Sequence, residues 1–304
     1  MSQMSEAPLV VCVGIAVLDL VFRVEAMPRA AEKYRARDFA SVGGGIAANA
    51  AVAIARLGGR AALATRLGDD AIGAEIVAGL EAEGVDCALA RRIEGRRSPL
   101  SSIYVDGEGE RQIVAYADPD MPIDPAWLPE RLAEGTRGVL GDTRWSAGAI
   151  RLFRAAREAG VPSVLDADRR PDDPDLLALA THAVFGQQGL AETTGIDDPR
   201  AALAALARSH RGFLAVTLGA DGVLYTGEGG AIVHAPAPRV AVVDTLGAGD
   251  VWHGAFALAL AERMDEARAV AFASAAAALK CTAFGGRAGA PTREALEEFM
   301  RERS

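Results

Sequence analysis

The segment Val242-Val-Asp-Thr-Leu-Gly-Ala-Gly-Asp-Val-Trp-His-Gly-Ala-Phe256 carries the residues best suited to chemistry. An apolar run meets a turn of small residues, Gly247, Ala248 and Gly249, and then an alanine-rich helical stretch beginning near Asp250. Small residues there let backbone N–H groups converge at a helix N-terminus, which carries about half a positive charge and unpaired donors. That cradle suits the charge developing on a phosphoryl group in transfer. A carboxylate at Asp250 would take the proton of an attacking hydroxyl, a contribution of about 10² to 10⁴ in rate for a well-placed base. Helix capping is the competing account of Asp250, since Asp is a preferred N-cap. In Val42-Gly-Gly-Gly-Ile-Ala-Ala-Asn49, the amide of Asn49 stands among alanines and needs partners if it is buried.

The elements that must position these groups read as an α/β fold. Leu9 to Ile15 is a β-branched run of strand length, apolar throughout, as in a strand buried on both faces. Gly138 to Gly141, Ser163 to Asp166, His182 to Phe185 and Phe213 to Leu218 are further short strands separated by helical stretches, which predicts parallel strands with right-handed crossovers. Ile72, Ile76, Val77 and Leu80 recur at helical spacing with Glu75, Glu81 and Glu83 facing away, a helix packed on the sheet. Two regions break the alternation, at about 20–42 and 96–117. In the second, Ser101 to Val105 and Arg111 to Ala115 flank Asp106-Gly-Glu-Gly109, a hairpin signal. They read either as a small separate sheet able to act as a lid, or as edge strands of the main sheet.

The string Asp244-Thr-Leu-Gly-Ala-Gly-Asp250 resembles the signature of the PfkB, or ribokinase-like, family of ATP-dependent sugar kinases. The resemblance extends, in order, over nearly the whole chain. It implies a single domain over 1–304, a three-layer sandwich with a central, mostly parallel sheet and a small β lid, acting as a phosphotransferase on an alcohol group. Asp250 matches the base, and Gly247 to Gly249 the amide cradle. Asp19, Gly44, Gly45 and Asn49 match the sugar-binding positions. Val216-Thr-Leu-Gly-Ala-Asp-Gly-Val223 is similar to the nucleotide-side segment, with Thr217, Gly219 and Gly222 near ATP, although a plain hairpin is the competing account. Leu279-Lys-Cys-Thr-Ala-Phe-Gly-Gly-Arg287, including Gly285, matches the segment near adenine and a potassium-type cation. The implied ligands are ATP, Mg²⁺ and such a cation, and the implied assembly is a homodimer through the lid.

Glu32-Lys-Tyr34, the triple glycine, Asp142-Thr-Arg-Trp145 and Ala278-Leu-Lys-Cys-Thr282 resemble bacterial sulfofructose kinases and their ketohexokinase-like neighbours. In that subgroup Lys33 and Arg144 match positions that hold the sugar's acidic group; an Arg fork suits an anion by donating two parallel hydrogen bonds. Against sulfonate recognition, the amide expected in the lid is replaced by Ala115, which Arg35 or water would have to offset. A second departure lies where relatives carry Asn-x-x-Glu, a motif that organises magnesium and phosphate. Here the chain reads Gly186-Gln-Gln-Gly189. Mg²⁺ can bind mainly through substrate phosphates and water, so the change is compatible with activity, but it also motivates a non-catalytic sugar- or nucleotide-binding regulator. A nucleoside or another sugar is the further alternative within the family.

Gly43-x-Gly45-x-x-Ala48 also fits a short dinucleotide fingerprint. That motif belongs directly after the first buried strand, which ends near Ile15 without such glycines, so a nicotinamide enzyme ranks below a kinase. Trp252 and His253 read as packing or capping groups, and Asp166 and Asp168 as either cleft residues or a solvated acidic turn. The 304 residues carry 32 basic and 41 acidic side chains, a net charge of −9, which offers no basic field for nucleic acid or anionic lipid. Cys12, Cys87 and Cys281 are odd in number and far apart, as in a reducing cytoplasm. The run Leu9 to Leu18 lacks the basic flank of a signal peptide and is too short to span a bilayer.

Overall fold

The first apolar run forms β1 (Leu9–Val13), whose residues point alternately into two cores: Val10 and Cys12 into one, Leu9, Val11 and Val13 into the other. The structure is a computed structural model that describes residues 7–108 and 110–303; Gly109 of the expected hairpin turn lies outside the described residues. Along the chain follow β2 (Val17–Arg23), β3 (Asp38–Gly44), α1 (Ile46–Arg56), β4 (Arg60–Gly68), α2 (Ala71–Glu81), β5 (Val85–Asp86), β6 (Ala90–Ile93), β7 (Leu100–Val105), β8 (Arg111–Tyr116), β9 (Thr136–Asp142) and α3 (Ser146–Ala159). Then come β10 (Ser163–Ala167), α4 (Pro174–Leu179), β11 (His182–Gly186), α5 (Gln187–Thr194), α6 (Pro199–Leu206), β12 (Phe213–Thr217), β13 (Val223–Thr226), β14 (Ile232–Ala235), α7 (Ala248–Ala261), α8 (Glu266–Lys280) and α9 (Arg293–Arg301).

The main sheet runs β14-β13-β12-β11-β10-β9-β1-β4-β5, with β6 also pairing on β4. Pairing is parallel from β12 through β4 and antiparallel only between β12, β13 and β14. One core lies between this sheet and α1, α2, α7, α8 and α9, the other between it and α3 to α6, giving three layers. No helix among the described residues is long and apolar enough to cross a membrane.

The two irregular regions build a separate four-stranded sheet, β3-β2-β7-β8, rather than edge strands. Its strands start at Val17 and end at Gly44 on one side and run Leu100 to Tyr116 on the other, slightly beyond and slightly within the expected limits. Val105 pairs with Arg111, and the Asp106 carboxylate accepts the N–H groups of Glu108 and Glu110, so the Asp-Gly step opens a five-residue turn.

Candidate active site

Gly247 caps α7 with φ +75°, a left-handed conformation that favours glycine, and turns the chain so that Asp250 is the third helical residue. Asp250 does not cap the helix. Its Oδ2 instead accepts the Asn49 amide at 2.7 Å, joining α7 to α1 across 201 residues. The contact depends on close helix packing: a Cβ on Gly254 would lie 2.5 Å from the carbonyl oxygen of Ala50, while Ala47, Ala48, Ala50 and Ala51 are fully buried on α1. Asn49 Oδ1 is buried with no partner, an acceptor beside the carboxylate that a hydroxyl would satisfy. The Ala248 N–H is taken by the Thr245 carbonyl. Gly249 and Asp250 remain in the first turn, where no helical carbonyl precedes their amides.

Three buried charges surround this point. His253, one turn beyond Asp250, sets Nδ1 at 2.8 Å from the Gly249 carbonyl and 3.0 Å from Asp166 Oδ2, and Nε2 at 3.3 Å from the Val184 carbonyl. Both ring nitrogens face acceptors, so both donate and the ring is an imidazolium. Burial opposes that charge, but Asp166 and the two carbonyls outweigh it and push the pKa up to about 9. Asp250 is pushed up to about 7, by burial first and then by Asp166, while the Asn49 hydrogen bond and His253 pull it back. Asp142, fully buried at the end of β9, accepts the N–H groups of Ile15, Ala47 and Arg144 and rises to about 6, chiefly by burial. It ties the end of β1 to the start of α1. Sequence reasoning gave His253 no role and left Asp166 open to a solvated turn; Asp166 is 3% exposed and pairs with that histidine.

On the lid side, Asp19 on β2 is half-buried, its carboxyl raised by burial against the opposing pull of Ser101 and Arg287. A Cβ on Gly44 would lie 2.0 Å from Asp19 Oδ2, and one on Gly45, φ +95°, 2.5 Å from the Ile15 carbonyl. The glycine pair is therefore fixed by the carboxylate lying on one residue and the β1–β2 backbone crossing the other. Arg287, which sequence reasoning passed over, lies across Gly43, where a Cβ would fall 1.8 Å from its Cζ; its Nη1 is buried without a partner. Lys33 is exposed on the connection between β2 and β3. Arg144 is half-buried, and its guanidinium pairs with Asp168, which also accepts the Thr143 hydroxyl at 2.8 Å.

A cavity of about 570 Å³ opens on the other side of α7, lined by Thr217, Gly219, Gly222, Ala248, Gly249 and Trp252 among others. Thr217 and Gly222 flank the turn of an antiparallel strand-turn-strand, so the expected hairpin is present and its turn lines this cavity. Gly285, with φ +106°, aims its N–H at Asp244 Oδ2, 3.0 Å away, and lines a second cavity of about 490 Å³ beneath the lid. Among the described residues no cluster of three or more His, Cys, Asp or Glu side chains is assembled to hold a metal. The carboxylate of Asp166 is engaged by His253 and that of Asp142 by backbone, while Gln188 donates to Glu192 at 2.7 Å. A hydrated Mg²⁺ carried by nucleotide phosphates fits this arrangement, since such an ion needs no protein cage.

Residues 7–293 match the model of the pfkB family of carbohydrate kinases. The chain belongs to that family. It is 31% identical over 295 residues to the ribokinase of Bacillus subtilis, covering 95% of this chain and 99% of that one. Among solved structures it resembles a provisionally assigned ribokinase from Agrobacterium tumefaciens, with TM-score 0.91 and 39% identity over 98% of each chain. It also resembles the Arabidopsis thaliana ribokinase complexed with ribose and ATP, with TM-score 0.83 and 26% identity, covering 97% of this chain and 99% of that one. This pfkB-family chain is thus a sugar or nucleoside kinase, a phosphotransferase with an alcohol acceptor. The signature read from Asp244 to Asp250 and the ribokinase-like fold are both borne out.

Proposed function

We propose that the chain transfers the γ-phosphoryl group of ATP to a hydroxyl of a ketose, sulfofructose or fructose. The observation that carries the reading is the hydrogen-bonded pair of Asn49 and Asp250, with its unpaired Oδ1, lying between the 570 Å³ cavity and the lid. ATP occupies that cavity against Thr217, Gly219 and Gly222. The sugar lies beneath the lid against Asp19, Gly44, Gly45 and Asn49. Asp250 accepts the proton of the acceptor hydroxyl, its oxygen bonds to the γ-phosphorus, and the bond to the β-phosphate oxygen breaks, releasing ADP. Gly247 and the amides of the first turn of α7, beside Ala248 and Gly249, hold the phosphoryl oxygens. Mg²⁺ bound with the nucleotide would supply charge neutralisation at the phosphates, without a dedicated protein cage. Closure of the lid keeps out water, which otherwise competes for the phosphoryl group.

Lys33 and Arg144 are the cations proposed to hold an acidic sugar terminus. Arg144 is already paired with Asp168, so binding a sulfonate requires it to be shared or released. A panel of ketoses with and without an acidic terminus, followed by ADP release, tests this. A neutral ketose preferred, with Arg144→Ala harmless, retires the acidic substrate; ADP release that does not need a sugar, or that persists in Asp250→Asn, retires the kinase reading. We also propose a homodimer through the lid. By register Phe22, Phe39, Tyr104, Val114 and Tyr116 share one face, and Phe39, Val114 and Tyr116 are 53, 61 and 42% exposed. Val114→Asp should then halve the mass measured by light scattering, and an unchanged monomer in the parent chain rejects the dimer.

A further inference from the structure

Of the 32 basic residues only two, Lys33 and Lys280, are lysines. Lys280 ends α8 and is fully buried. Its Nζ donates to the main-chain carbonyl of Asp244 at 2.8 Å and stands 3.3 Å from the carboxylate of the same residue. Asp244 is the knot of the site. Oδ1 accepts the Leu246 N–H at 2.9 Å and Arg111 Nη2 at 2.6 Å, and Oδ2 accepts the N–H groups of Gly285 and Gly286. The N–H groups of Val243 and Asp244 both reach the Cys281 carbonyl. The loop that feeds the amide cradle is thus bound, at one residue, to the loop after α8 and to the lid.

The family resemblance leads one to expect a potassium-type cation along 279–287. The residues do not fit one at this junction. The Asp244 carbonyl and carboxylate both face the ammonium, and the Cys281 carbonyl is spent on two backbone donors. A chain that otherwise uses arginine has placed a lysine here, and the two groups differ physically: an ammonium is a compact point charge, a guanidinium a flat fork. Burial depresses Lys280 while Asp244 counters it, and the backbone donors hold Asp244 down at about 2 despite its burial.

We propose that Lys280 is a tethered monovalent cation: its ammonium takes the position of a bound ion between the 243–247 and 281–286 loops, so neither the folded cradle nor turnover requires K⁺ or Na⁺. Lys280 is a positioning residue that touches no reacting atom and acts through Asp244. The consequence for turnover rests on the kinase reading; the consequence for stability does not.

The experiment compares potassium, ammonium and choline chlorides at equal ionic strength, reading ADP release and thermal unfolding of the full chain. The wild type should have the same Tm and, within about twofold, the same rate in all three, because no ion site is left to link binding to folding. Lys280→Ala, which opens space beside Asp244, should lose several degrees and most activity in choline, with K⁺ or NH₄⁺ restoring both by about tenfold in rate. Lys280→Met, which fills that space with apolar atoms, should lose them without recovery. A wild type activated about tenfold or stabilised by several degrees in K⁺ over choline overturns the proposal, and needs no variant to fold. A Lys280→Ala protein whose Tm ignores all three cations also overturns it, leaving an ordinary buried ion pair. Absence of turnover with every sugar in every salt counts against the kinase reading, while the Tm comparison still decides the role of Lys280.

Discussion

Replacing Asn49 by alanine should move the acid limb of the pH–rate profile, because the Asn49 amide is donated to the carboxylate proposed to act, once ionised, as the base. Asp250 stands at about 7, raised by burial and by Asp166 and held there by the Asn49 hydrogen bond and the His253 charge. A hydrogen bond to a charged group contributes about 1.5–3 kcal/mol, and 1.36 kcal/mol corresponds to one pKa unit, so its loss raises Asp250 by about one to two units. Taking the smaller figure, the ionised fraction at pH 7 falls from about half to about a tenth, a fivefold loss from titration alone. The lost contact to a sugar hydroxyl adds a further loss, but one independent of pH. The assay is kcat/KM for the sugar at saturating ATP, from about pH 5.5 to 9.5, with Asp250→Asn as the baseline; this parameter reports the base before the sugar binds. A uniform drop at every pH, with the limb of Asn49→Ala superimposed on that of the wild type, refutes the idea that this hydrogen bond tunes the base.

Gly44→Ala places a Cβ 2.0 Å from Asp19 Oδ2, so the carboxylate must move; sugar KM should rise about tenfold, the cost of one displaced hydrogen bond, with ATP KM unaffected. An equal rise in both would show that the lid does not separate the two substrates. His253→Gln strands Asp166 and should cost about 3–5 kcal/mol in urea unfolding near pH 6. The folded pKa, about 9, lies above the ordinary 6.5, so the contribution is full below pH 6.5 and lost as pH rises through 9. The gap between variant and wild type should therefore close by about pH 9.5, and a constant gap contradicts an imidazolium. Asp250→Asn, inactive, should be the more stable protein at about pH 8 and equal to wild type near pH 4, since a carboxyl raised from 3.8 to about 7 opposes folding once ionised. That shift corresponds to about 4 kcal/mol, reduced to about 2 for the partial exposure of the group.

What could be read along the chain was whatever a short window contains. The strand at Leu9, the helix carrying Ile72 to Leu80 and the hairpin around Asp106 each announce themselves by local periodicity or by one turn residue, and each is present. The signature from Asp244 to Asp250 was legible for the same reason, since its chemistry is a turn and a helix start. The lid had a weaker signal. Alternation marks strands but says nothing of which sheet receives them, and only the parallel pairing of β2 with β7, which sets Leu18 beside Leu100 across 82 residues, settles that these strands leave the main sheet.

The remainder was illegible because it is made of pairs whose members lie far apart in sequence. Asp166 reads as a turn acid until His253 is set 3.0 Å from it, and Lys280 reads as the basic last residue of a helix until Asp244 meets it. Nothing near Gly285 in sequence shows that its positive φ aims an amide at Asp244, 41 residues away. A buried charge is tolerated only where a partner repays its desolvation, so each charged residue whose burial the sequence leaves unexplained points to an unseen partner. In this fold those partners converge on α7. Asn49 holds Asp250, Asp166 holds His253, and Lys280 with Arg111 holds Asp244, so that a helix N-terminus capped by glycine is fixed by an amide from α1 and by charges drawn from β10, α8 and the lid. The rigidity that electrostatic stabilisation of a transferring phosphoryl group would require of the proposed cradle thus comes in large part from Asp166, His253, Lys280 and Arg111, which are assigned no contact with either substrate.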